Sequence, residues 1–120
     1  MNYSEVIRPA DLAQLEANWI EQLPKKGTTA EMDLTPVVKI FSPVGSATIL
    51  VSEKDPESGL SFGIVDLGFG SPEMGYLDLE EVLSVQLPHG LRMEQDLHFT
   101  ANKSLSQYAS EARRLQHLRA

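Results

Sequence analysis

The chain has 120 residues, 42% of them hydrophobic, with 17 acidic against 10 basic side chains and a formal charge of −7. Residues 1–120 suit one small domain with its own core, and the negative balance argues against broad capture of nucleic acid or of an anionic membrane. With no cysteine, disulfides, thiolate metal sites, iron–sulfur ligation and thiol catalysis are excluded by composition.

MNYSEVIRPADL carries an acid and a proline where a secretion signal needs a basic start and an apolar run. No later stretch reaches membrane-spanning length, so a soluble cytoplasmic protein is expected. Pro9 suits a first helical turn, and Leu12, Leu15, Trp19, Ile20 and Leu23 recur at helical spacing up to Pro24, opposite a polar face. PKKGTTAEMDLTP, Pro24 to Pro36, reads as a surface loop in which Lys25 and Lys26 are solvated.

VVKIFSPV, SATILVSEKD and LSFGIVDLG are β-branched runs separated by turn residues, the second turn being DPESG. They predict an antiparallel meander with Ile49 and Val51 facing the core beside Phe62 and Ile64. A short extended GYL follows, then Asp78 as the cap of a short helix with Glu81 three residues on. GLRMEQDLHF predicts a last strand. The chain then finishes as a helix over about 104–119, with a Ser104/Gln107 capping box and an apolar stripe of Leu105, Tyr108, Ala109, Ala112, Leu115 and Leu118. The fold class is α+β: a sheet of about four to five antiparallel strands, covered on one face by the first and last helices, plus one short helix.

In an extended GLRMEQDLHF, the side chains of Arg92, Glu94, Asp96 and His98 share one face. Glu94, Asp96 and His98 are therefore candidate acid–base residues, and Asp96 with His98 candidate metal ligands. The plainer reading, the wet face of a half-exposed strand, outweighs it. No metalloprotease helix, nucleophile elbow or phosphate-loop spacing occurs, and the glycines Gly68, Gly70 and Gly75 sit in a stretch with no lysine or arginine between Lys54 and Arg92. No cofactor is expected, and the balance leans away from an enzyme. Arg113, Arg114 and Arg119 near the end of the last helix are candidate interaction residues. Their simplest role is to complement the helix dipole; a homodimer through this helix comes second and nucleic acid third.

LSFGIVDLGFGSPEMGYLDLEEVLSV and GLRMEQDLHF together make the chain resemble an uncharacterised bacterial family, domain of unknown function 2958. The matching motifs are Lys39, Phe41 and Pro43; Asp55 to Asp66; Glu73 to Glu81; and Glu94 to Phe99. The likeness spans about 12–99 and leaves the last helix outside. It implies a gene carried on plasmids and other mobile elements, and no activity, cofactor or catalytic residue. The first functional expectation is a non-enzymatic accessory protein of a mobile element that acts through protein contacts. The second is an anti-restriction or anti-CRISPR protein whose Glu53, Asp55, Glu57, Glu73, Glu80 and Glu81 imitate DNA phosphates from one exposed face. The third is a small metal-dependent or acid–base enzyme using Glu94, Asp96 and His98.

Overall fold

Pro9 opens helix α1 (Pro9–Gln22) in this computed structural model, which describes residues 1–120. A proline costs nothing there, because N–H groups of the first turn have no partner inside the helix. Leu15 and Trp19 are buried as the periodicity predicts, but Ile20 and Leu23 stand 62% and 55% exposed. The buried line runs instead through Leu15, Trp19 and Gln22. The Gln22 amide is satisfied by Met32, with Nε2 donating to its carbonyl (2.7 Å) and Oε1 accepting from its N–H (2.9 Å). That exchange ties the end of α1 to the loop after it.

The strands are β1 (Val38–Phe41), β2 (Thr48–Lys54), β3 (Leu60–Asp66), β4 (Glu73–Asp78) and, after the short helix α2 (Leu79–Ser84), β5 (Glu94–Gln95); α3 (Leu105–Leu115) follows. They form one antiparallel sheet in the order β4-β3-β2-β1-β5, an α+β fold. Both predicted caps are present. Asp78 Oδ1 accepts from Glu80 N (3.0 Å) and Glu81 N (3.3 Å), and Ser104 and Gln107 form the reciprocal box. No helix is long and apolar enough to cross a membrane.

The expected one-sided sheet is corrected. Val38, Ile40, Ile49 and Val51 pack with Ile7, Leu15, α2's Leu79 and Leu83, and Met93. Leu50 and Ile64 pack with Leu105, Tyr108, Ala109, Ala112 and Leu118. Helices α1 and α3 therefore cover opposite faces. Register explains the split: Leu50 pairs with Ile64, while Ile49 pairs with Val65 and Val51 with Gly63, so Ile64 and Phe62 face away from Ile49 and Val51. A central strand buried on both sides carries a continuous apolar run, and Ile49-Leu50-Val51 is one. Gly63 is required at its crossing point, because a Cβ there would collide with the Leu50 carbonyl.

Two local irregularities set the positions of individual side chains. The β2–β3 register slips between Val51 and Glu53, so that Glu53 pairs with Phe62 and Lys54 with Ser61. The extra residue, Ser52, moves Glu53 onto the Phe62 face and Lys54 onto the other. At the far end, Gln116 adopts the left-handed conformation (φ 63°), so α3 stops at Leu115 and not at 119 as predicted. The turn brings Leu118 N to Asp66 Oδ2 at 2.7 Å, while Asp66 Oδ1 accepts from Gly68 N at 2.8 Å. Asp66 thereby fastens the tail of the chain to the end of β3.

Candidate functional site

The stretch from Gly90 to Phe99 contributes only Glu94 and Gln95 to the sheet. Gln95 turns inward, its Oε1 accepting from Arg8 N (2.9 Å) and its Nε2 donating to Asp11 Oδ2 (2.7 Å). Asp96 then ends the extended run. Its Oδ1 accepts from His98 N two residues on (2.9 Å), a local bond that favours a turn over a strand, and its Oδ2 lies 3.6 Å from Lys39 Nζ. The predicted row is broken by that turn. Glu94 lines a depression with Glu5 and Arg92, whereas Asp96 and His98 line another with Lys103, Glu111 and Arg119. No group of three or more His, Asp or Glu side chains is gathered to hold a metal ion.

Arg113, Arg114 and Arg119 are all exposed. The apolar stripe of α3 is spent on the sheet, which leaves the polar side of the helix for any second copy. The acidic residues between Glu53 and Glu81 divide by role. Asp55 closes the β2–β3 turn by accepting from Glu57 N (2.9 Å), Asp78 caps α2, and Glu53 is 1% exposed. Glu57, Glu73, Glu80 and Glu81 remain exposed.

The most unusual local chemistry lies at Lys26 and Glu53, which the sequence pattern marks only as a solvated lysine and an exposed acid. Lys26 Nζ stands 5.7, 4.9 and 4.9 Å from the ring centroids of Trp19, Phe62 and Tyr76, and 3.4 Å from Glu53 Oε1. Phe62 and Tyr76 are cross-strand partners set edge to face at 5.1 Å, and Trp19 meets Tyr76 edge to face at 6.4 Å. Each element supplies one wall: α1 brings Trp19, β3 Phe62 and β4 Tyr76, and the β2 irregularity turns Glu53 beneath them.

Burial pushes the Lys26 ammonium down, but hydrogen bonding to Tyr76 and the charge of Glu53 outweigh it, and its pKa is raised. Burial pushes the Glu53 carboxyl up, and the charge of Lys26 offsets this only in part. Both pKa values therefore rise. The ammonium side chain keeps 21% of its surface and the carboxylate 2%, so desolvation falls mainly on the acid. Glu53 Oε2 is buried without a hydrogen-bond partner, an omission that ordinarily costs roughly 1–3 kcal/mol.

Beside this pair is a cavity of about 360 Å³, with Lys26, Glu31, Asp33, Glu53, Phe62 and Met74 in its wall. Asp33 meets the first turn of α3, where Ser106 N donates to Oδ1 (3.1 Å) and Ser106 Oγ bonds Oδ2. Burial alone would raise its pKa, but the bonds from Ser106 and Ser104 hold it below the usual carboxylate value. Glu31 accepts from Gly27 N (2.8 Å). The site can hold a cation between π faces and carboxylates.

A family model described as "Protein of unknown function (DUF2958)" matches residues 7–119, and the chain belongs to that family. The match takes in α3, which lies outside the motifs that carry the resemblance; the Asp66–Leu118 bond gives a physical reason for the tail to be part of the unit. Searches of curated proteins and of solved structures found no match.

Proposed function

We propose that this family member is a non-enzymatic accessory protein that holds another protein, an extended segment of which pairs with β4. The observation that carries the reading is the condition of that strand. β4 lies at a flank of the sheet with a strand neighbour only on its β3 side, and an unpaired row of backbone N–H and C=O groups is a template for a further strand. Apolar surface lies where a partner would rest: Met74 is 42%, Tyr76 56% and Phe69, in the preceding loop, 86% exposed. The opposite flank, β5, offers only two residues.

Charge selects the occupant. Glu73 and Asp78 bound the strand, Glu80 and Glu81 follow it, and all four are exposed. The favoured partner strand therefore carries lysine or arginine. A bacterial mobile-element setting and a cytoplasmic location, both expected from the sequence, belong to the same proposal. The test is a photoreactive residue placed in host cells at Met74 or, as a control, at Ser84. The Met74 probe should cross-link one dominant protein, the Ser84 probe should not, and Tyr76→Lys should remove the cross-link. Equal labelling at the two positions, or labelling at Ser84 alone, would overturn the reading.

A further inference from the structure

Glu53 combines three properties that a purely structural ion pair does not need. It is 1% exposed, it lines the cavity beside Lys26, and its Oε2 has no donor. Buried carboxylate oxygens are ordinarily satisfied, and the resident Lys26 reaches only Oε1, at 3.4 Å. Three aromatic faces surround the ammonium at 4.9 to 5.7 Å, the arrangement by which proteins hold amine cations. Glu31 and Asp33 add two further carboxylates to the wall. The group that would complete this site is a cationic N–H donor on a slender apolar stem, able to pass Phe62 and Met74.

We infer that the seat now filled by Lys26, which adjoins this cavity through Lys26, Glu53 and Phe62, is a receptor for an alkylammonium group, the chemistry shared by a lysine side chain and a polyamine, which bonds Glu53 Oε2 and takes the ring faces over from Lys26. Lys26 is then a resident occupant. It belongs to the loop after α1, and its side chain keeps 21% of its surface, so it has a path to solvent when displaced. Met74 belongs both to β4 and to the cavity wall, so a strand laid along β4 delivers its side chain directly into the site. The peptide source rests on the β4 reading; the amine chemistry does not. Because burial raises the Glu53 pKa, amine affinity falls on acidification as that carboxylate takes up a proton.

The test is an NMR titration of the full chain and of Lys26→Ala with putrescine, with spermidine and with a lysine blocked at both backbone ends. Lys26→Ala should bind amine at least tenfold more tightly than the wild type, with the largest shifts at Glu53, Phe62 and Met74. The double variant Lys26→Ala/Glu53→Gln should show no saturable shift. Binding of the blocked lysine alone assigns the site to a protein partner, and binding of the polyamines alone assigns it to a free amine. A folded Lys26→Ala without saturable shifts, or undiminished binding by the double variant, overturns the inference. Should Lys26→Ala fail to fold, wild type against Glu53→Gln at millimolar amine decides in the same way: shifts at Phe62 and Met74 in the first only support the site, and shifts in neither overturn it. Amine binding without the Met74 cross-link removes the partner strand and keeps the receptor; the cross-link without amine binding does the reverse.

Discussion

Asp66→Ala should detach the C-terminal segment from the sheet. Asp66 is 3% exposed, and its carboxylate accepts from Leu118 N at 2.7 Å and from Gly68 N at 2.8 Å. A hydrogen bond to a charged acceptor contributes roughly 1.5–3 kcal/mol, and a buried donor left without a partner forfeits its desolvation as well. The Leu118 bond is buried, so it carries the larger share. The expected loss is about 3–5 kcal/mol of unfolding free energy, with Asp66→Asn losing about half as much because it keeps one acceptor. Urea unfolding followed by circular dichroism measures this, and amide exchange at Leu118 localises it: that amide should lose protection before Leu50 or Ile64 does. A change in Asp66→Ala below about 0.5 kcal/mol, the level of an ordinary surface substitution, would refute the latch.

Glu53→Gln gives a pH signature. The folded pKa of Glu53 is raised above 4.5 by burial, so its stabilising contribution is complete below the unfolded value and is lost as pH rises through the folded one. The stability of wild type relative to Glu53→Gln should therefore fall as pH rises from 4.5, and a flat difference would contradict it. Asp33 has the opposite sign: its pKa is lowered from 3.8, so the advantage of wild type over Asp33→Asn should be present above that value and vanish as pH falls through the folded pKa. Gly63→Ala, forced against the Leu50 carbonyl, should cost about 1–3 kcal/mol in a urea melt. Gln95→Ala removes the bonds to Arg8 N and Asp11, and should cost about 1–2 kcal/mol by thermal unfolding.

Helices and caps are legible in the sequence because their signals are local. Pro9, the Leu15–Trp19 spacing, Asp78 with Glu81, and Ser104 with Gln107 each act within a turn or two, and each stands where its chemistry predicts. Which face a helix covers depends instead on register between distant strands. Turn composition alone sets Ile49 and Val51 beside Phe62 and Ile64, although the uninterrupted Ile49-Leu50-Val51 is the signal of a strand buried on both faces. Alternation continued past Asp96 makes the expected last strand too long, because the Asp96 side chain prefers the local bond to His98 N.

The Lys26–Glu53 site is hidden for a further reason. Glu53, expected on an exposed acidic face, and its neighbour Lys54 stand at a strand end in SEKD, yet both are 1% exposed. The slip at Ser52 decides which of the two faces each reaches, and no residue type in that stretch announces a bulge. Lys54 is satisfied by Asp55 O (2.8 Å), Glu16 (3.5 Å) and the Tyr3 ring (4.3 Å). Glu53 is left with one free oxygen. That contrast separates a buried charge whose polar atoms are all met from one that keeps an unmet acceptor beside the cavity.

Whether this protein works from its β4 side, as proposed, or from the Glu94–His98 stretch is decided most directly by one measurement. That measurement is quantitative recovery, from host lysate, of the protein cross-linked at Met74, using wild type, Tyr76→Lys, and the triple change Glu94→Ala, Asp96→Ala and His98→Ala, each first shown to be folded. The triple variant should recover as much of that protein as wild type, and Tyr76→Lys at least tenfold less. Retention by Tyr76→Lys with loss in the triple variant would contradict the proposal, and would move the functional surface to the turn at Asp96.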